Sequence, residues 1–203
     1  VVLAQPELFS AIVGDEMASG RTPSASREYM EDTLAGISTT AEELARFAQF
    51  LMTNNVLVSL LAFSLGVALG VPTILLLFYN GMAIGAMLAA YAVHGLEVEF
   101  LAWLSVHGTT ELTAIVIAGA GGLAIATGVL FPPAHMTRLA GAAEVGKRAG
   151  LLAVLGIVML FLAAILEAFV RDTVTDTTGR FAIGGFFAAL WAAYFILAGR
   201  QRA

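Results

Sequence analysis

Between Arg46 and Arg138 the chain carries no Lys or Arg, and its only acids there are Glu97, Glu99 and Glu111. A water-facing surface draws on roughly 25% charged residues, so a stretch this long with three charges cannot be solvated as a soluble domain. Its apolar faces have to turn outward to lipid. A membrane span takes about 20 apolar residues, and a chain of 203 residues, 12% of them charged, has room for about five or six. A sizeable aqueous catalytic domain is thereby excluded. There is no cysteine, so disulfides, thiolate metal sites and cysteine nucleophiles are absent. The formal charge of −5 argues against nucleic-acid binding and against a polybasic lipid anchor.

Positions 1–50 form the one long polar stretch, with acids Glu7, Asp15, Glu16, Glu28, Glu31, Asp32, Glu42 and Glu43. The first half carries the turn signals Gly14, Gly20 and Pro23. The second half reads as a helix, with capping-box spacing between Thr40 and Glu43 and an apolar face of Leu44, Phe47, Phe50 and Leu51. The expectation is an amphipathic helix along the membrane surface, with ordinary packing on the bundle as the simpler alternative. Five spans follow: Asn54–Val71, Thr73–Val93, His107–Leu130, Gly150–Val170 and Phe181–Ala198. Pro72 and the pair Pro132-Pro133 separate them. Because Leu101–Leu130 is too long for one straight span, Gly108 marks the expected break, with Leu101–Val106 a short re-entrant or interfacial piece. The predicted fold class is all-α: a polytopic transmembrane helical bundle (51–203) behind an extracytoplasmic polar segment (1–50).

Orientation follows from cations close to span ends. Arg138, Lys147, Arg148, Arg200 and Arg202 fall on one side; Arg21, Arg27, Arg46, Arg171 and Arg180 fall on the other. Arg21 and Arg27 lie far from the first span and carry little weight. The 131–149 loop and the C-terminus are therefore expected in the cytoplasm and residues 1–50 outside the cell membrane. The chain opens at Val1 without an initiator Met or a signal-peptide pattern, and an outside segment of this kind suggests an upstream span.

Every charged residue lies in a loop or at a span end except Glu111 and Glu167. An ionised side chain at mid-bilayer costs about 2.5–3.5 kcal/mol, so its presence asks for a partner or a purpose. The topology sets Asn54, Asn55, His94, His107, Glu111 and Glu167 within roughly 6 Å of one depth at 1.5 Å of helical rise per residue. Such a cluster could hold a divalent cation, relay a proton or bind a polar group of lipid or glycan. The plainer alternative is packing, with the two acids neutral or hydrogen-bonded. The His107-x-x-x-Glu111 spacing is not the H-E-x-x-H of zinc hydrolases, no catalytic Ser/His/Asp set stands out, and no metal or cofactor is predicted. Glycines at Gly66 and Gly70, at Gly81 and Gly85, and at Gly119 have the small-xxx-small spacing that lets helix backbones approach. Intramolecular packing is the expectation; the alternative is a face for a homo-oligomer. Trp103 and Trp191 suit interface anchoring and packing.

The run Asn54-Asn55-Val56-Leu57-Val58-Ser59-Leu60-Leu61-Ala62-Phe63-Ser64-Leu65-Gly66, then Asn80-Gly81, then His107-Gly108-Thr109-Thr110-Glu111-Leu112-Thr113-Ala114-Ile115 with Ala118-Gly119-Ala120, and finally Glu167-Ala168-Phe169, resembles the stage II sporulation protein M family over about residues 45–199. It departs at Val106, where a Pro commonly precedes the His-Gly pair. The resemblance implies a non-enzymatic multispan protein, a scaffold for envelope-remodelling membrane proteins, and it carries no catalytic residue. The competing expectation is a small-solute or ion transporter that uses the polar cluster. Membrane lipids are the other expected partners.

Overall fold

The structure, a computed structural model, describes residues 2, 4–35, 41–170 and 173–198. These residues form helices and turns, with no strand among them. The chain belongs to two compact units. One comprises 1–51, 82–110 and 163–203; the other comprises 52–81 and 111–162. Three short helices, α1 (Leu8–Val13), α2 (Asp15–Ala18) and α3 (Arg27–Ala35), precede five long ones. These are α4 (Ala41–Ser64), α5 (Val71–Ala92), α6 (Glu97–Leu130), α7 (Arg138–Val170) and α8 (Thr177–Ala198). Each of the five contains a stretch long and apolar enough to cross a membrane. Leu57, Phe78, Val116, Phe161 and Phe186 stand exposed along them. Apolar side chains exposed on every long helix are what lipid contact requires and what water would penalise.

Residues 41–51 are helical as expected and form the opening turns of α4, continuous with the first span. Thr40 of the expected capping box lies outside the described residues. One expectation changes: Leu101–Val106 is not a re-entrant piece, since α6 runs unbroken for 34 residues. Gly108 does not end the helix because its missing side chain is used for packing. A Cβ there would lie 2.9 Å from a Leu104 methyl, so the glycine admits Leu104 against the helix instead of terminating it.

In the first unit, the N-terminal residues fold back as a cap. Phe9, Val13, Met30 and Leu34 pair at i and i+4 on short helices, and they bury against Ala86, Met87, Ala90 and Tyr91 of α5 and Leu96, Phe100 and Trp103 of α6. Burying Phe, Met, Leu and Val side chains contributes about 1.5–3 kcal/mol each, enough to order short helices that would not hold alone. Trp103 serves packing, as a core residue 6% exposed.

In the second unit the packing is set by glycine. Gly66 sits in the 3₁₀ turn Leu65–Val67 that ends α4, backbone to backbone with Gly122 of α6. A Cβ on Gly122 would overlap the Ala62 carbonyl of α4. Gly70, at φ +76°, faces Leu123 and Ala126 across this turn, and Gly119 faces Leu77. The Thr73 hydroxyl, fully buried at the start of α5, donates to the Ala62 carbonyl at 2.9 Å. Further along, Gly128 of α6 and Gly141 of α7 share the same kind of contact. Gly81 and Gly85 differ from expectation: a Cβ at either meets nothing within 4 Å. The same spacing on α5 points away from the described neighbours.

Candidate functional site

The cap is tied down by buried polar contacts as well as by its core. Arg21, 6% exposed, turns its guanidinium onto the carbonyls of Ala18 and Met17 at 2.9 and 2.8 Å. The Thr33 hydroxyl lies 3.1 Å from the Tyr91 hydroxyl, joining α3 to the end of α5. Arg27 Nη1 donates to the His94 carbonyl at 2.8 Å while its Nε pairs with Glu31 at 2.7 Å. Arg180, in the first turn of α8 and 5% exposed, reaches back across the unit. It donates to the Leu34 carbonyl at 3.1 Å and to the Val174 carbonyl at 2.9 Å. A guanidinium is well suited to collect several carbonyls at once, because its donors fan out in a rigid plane.

Beneath the cap an aromatic series runs inward. Tyr91 stacks on Phe100 with ring centroids 4.6 Å apart, Phe100 lies 6.1 Å from Trp103, and Trp103 meets the His107 ring edge-on at 5.1 Å. His107 is fully buried. One turn further along α6, Thr110 accepts a hydrogen bond from the Trp191 indole N–H of α8 at 3.1 Å. Ser105 Oγ donates to the Arg180 carbonyl at 3.2 Å. Gly184 permits that approach: a Cβ there would sit 2.7 Å from the Ser105 carbonyl.

Of the polar residues expected at one depth, His94, His107 and Glu167 fall in the first unit, and Asn54, Asn55 and Glu111 in the second. His107, Glu111 and Glu167 are buried, whereas Asn54, Asn55 and His94 are half-buried. Among the described residues no group of three His, Asp or Glu side chains is arranged to hold a metal ion. Sequence reasoning missed Arg180, Arg21 and the Thr33–Tyr91 link. A polar residue at a span end is ordinary, and nothing in its neighbours along the chain shows a partner far away.

The exposed surface of the cap and of the adjoining α5–α6 turn is acidic. Glu7, Asp15, Glu16, Glu28, Glu31, Glu97 and Glu99 are exposed there beside the exposed cation Arg27. Five long apolar helices with a folded polar cap define a multispan helical membrane protein. The chain belongs to the stage II sporulation protein M family, whose model matches residues 8–171. That match starts at the first residue of α1 and ends just after α7, so the family pattern takes in the cap helices and the first four long helices. No curated protein and no solved structure matches the chain.

Proposed function

We propose that this protein is a non-enzymatic scaffold of the cell membrane, whose ordered acidic cap faces outside and docks envelope-remodelling membrane proteins, with the C-terminus in the cytoplasm. The observation that carries this reading is the cap itself. Residues of α1–α3 spend their apolar side chains on a shared core with α5 and α6 and leave seven acids of the surrounding surface exposed. A segment serving only as a connection has no need of such a core, whereas a docking platform needs rigidity and a surface of defined charge. A partner with a basic, extracytoplasmic contact surface fits it.

The test is complementation of a deletion strain. Reversing exposed charges together, Glu7→Lys, Glu16→Lys and Glu28→Lys, leaves melting temperature near wild type and abolishes rescue. A triple variant that rescues fully overturns the reading. The second reading, transport, is favoured by the buried ionisable residues His107, Glu111 and Glu167. It is separated from the first by Glu111→Gln and Glu167→Gln. A carboxamide keeps shape and hydrogen bonding, so a scaffold variant stays active; a protein that works through carboxylate charge becomes stable but inactive.

A further inference from the structure

In the second unit, contacts at four glycines fix one common level across three helices. Gly66 meets Gly122, Gly70 meets Leu123 and Ala126, and Gly121 lies against both the Phe63 ring and the Ala149 carbonyl. The turn joining α4 to α5 and the start of the apolar run of α7 therefore lie at one depth. What occupies that depth on each element is unlike. The turn, Leu65-Gly66-Val67-Ala68-Leu69-Gly70-Val71-Pro72, has no polar side chain. Val67, Leu69 and Val71 on it are about half exposed, at 51%, 47% and 57%. Beside Ala149, by contrast, stand Lys147 and Arg148 with side chains 77% and 85% exposed.

Water penalises the turn and hydrocarbon penalises the cations, so the level shared by both is the boundary between acyl chains and headgroups. The length of α7 agrees. From Ala149 to Val170 the apolar run of α7 fills the roughly 20 residues that a hydrocarbon core takes. Beyond the boundary α6 continues from Gly122 to Leu130, about 12 Å, and α7 begins about 15 Å earlier at Arg138. Lys147 and Arg148 thus sit at the foot of a projecting helical hairpin, level with phosphate groups. Among the described residues they share a single counter-charge: Glu144 lies 3.7 Å from Lys147 and 3.5 Å from Arg148. Two exposed cations on one carboxylate leave a net positive charge at phosphate depth.

We infer that Lys147 and Arg148, together with the apolar α4–α5 turn, form a docking surface for anionic phospholipid, the turn against acyl chains and the cations against the headgroup phosphate. This surface is independent of the acidic cap and of the scaffold reading.

The experiment reconstitutes the full chain in equimolar phosphatidylglycerol and phosphatidylcholine of identical acyl chains, extracts it in mild detergent and measures the retained lipid by mass spectrometry. Wild type is enriched in phosphatidylglycerol, by about fivefold for each cation engaged, and the enrichment weakens as salt screens the contact. Lys147→Gln with Arg148→Gln returns the ratio to that of the input while the protein remains folded by circular dichroism. Glu144→Gln removes the shared counter-charge and raises the enrichment above wild type, so the inference does not depend on a loss alone. Equal retention of the two lipids by wild type, or an enrichment that survives the double glutamine variant, overturns it. So does a wild type that shows no lipid preference and elutes as a dimer, which would assign the surface to a second copy of the chain.

Discussion

Adding one methyl group at Gly66 or Gly122 tests whether backbone contact holds the second unit together. A Cβ on Gly66 would lie 2.7 Å from the Gly122 Cα, and one on Gly122 would lie 3.0 Å from the Phe63 carbonyl oxygen as well as overlapping that of Ala62. Ordinary contact begins at 3.4 Å, and the obstructing atoms are backbone, which cannot rotate aside. The helices must part. A gap of about 0.5–1 Å forfeits a quarter to a half of each dispersion contact along the seam, and overpacking of this kind costs about 1–3 kcal/mol. The upper end applies here because no flexible side chain can absorb the change. For a chain of this size that is a fall of roughly 6–12 °C in melting temperature. Gly81→Ala and Gly85→Ala are internal controls with identical chemistry. Nothing lies within 4 Å of either Cβ, and alanine favours the helix, so their melting temperature stays unchanged or rises by roughly 2–4 °C. The assay is thermal unfolding of the four single variants in one detergent. If Gly66→Ala and Gly122→Ala melt no lower than Gly81→Ala, the close approach of α4 and α6 does not support the unit and the reasoning fails.

Arg180→Met leaves the Leu34 and Val174 carbonyls without their donor and destabilises the chain by about 1–3 kcal/mol; limited proteolysis should then cut the cap faster while Arg180→Lys restores part of the protection. Thr110→Val and Trp191→Phe each remove one hydrogen bond worth about 0.5–1.5 kcal/mol, and because the two groups bond each other the double variant costs less than the sum of the singles in a melting-temperature cycle. Cysteines at Ser10 and Ala134, both exposed, should be labelled from opposite sides of intact cells by a membrane-impermeant reagent; labelling of both from outside contradicts a cytoplasmic connection between α6 and α7.

Five apolar helices were legible because hydropathy over twenty residues needs no knowledge of partners. The cap was not read as a cap, although Phe9 with Val13 and Met30 with Leu34 carry the i, i+4 spacing of short buried faces; Gly14, Gly20 and Pro23 between them drew the reading toward turns. Gly108 shows the opposite difficulty, since a glycine inside a helix and one that ends it are the same letter, and the choice was made by Leu104 folding over it. Gly66-Gly70 and Gly81-Gly85 share a spacing and differ in surroundings, because spacing fixes which residues lie on one helix face but not what that face meets. Helix rise sets His94, His107, Glu111, Glu167, Asn54 and Asn55 near one depth, yet it orders residues along an axis and leaves their direction around it open. Arg180 was illegible for a simpler reason: its partner at Leu34 is 146 positions away.

That separation bears on how the protein is made. The cap leaves the ribosome well before its partners: Tyr91 is 58 positions after Thr33, His94 is 67 after Arg27, and Arg180 is 146 after Leu34. Synthesis runs at about 5–20 residues per second, so the segment waits several seconds with Phe9, Val13, Met30 and Leu34 unburied. Its closure cannot be completed until α8 has been made. A product truncated before α8 would still bury these side chains against α5 and α6 but would lack the Arg180 donor to the Leu34 carbonyl. The contact between α3 and α8 thus closes only after every element between them has been synthesised.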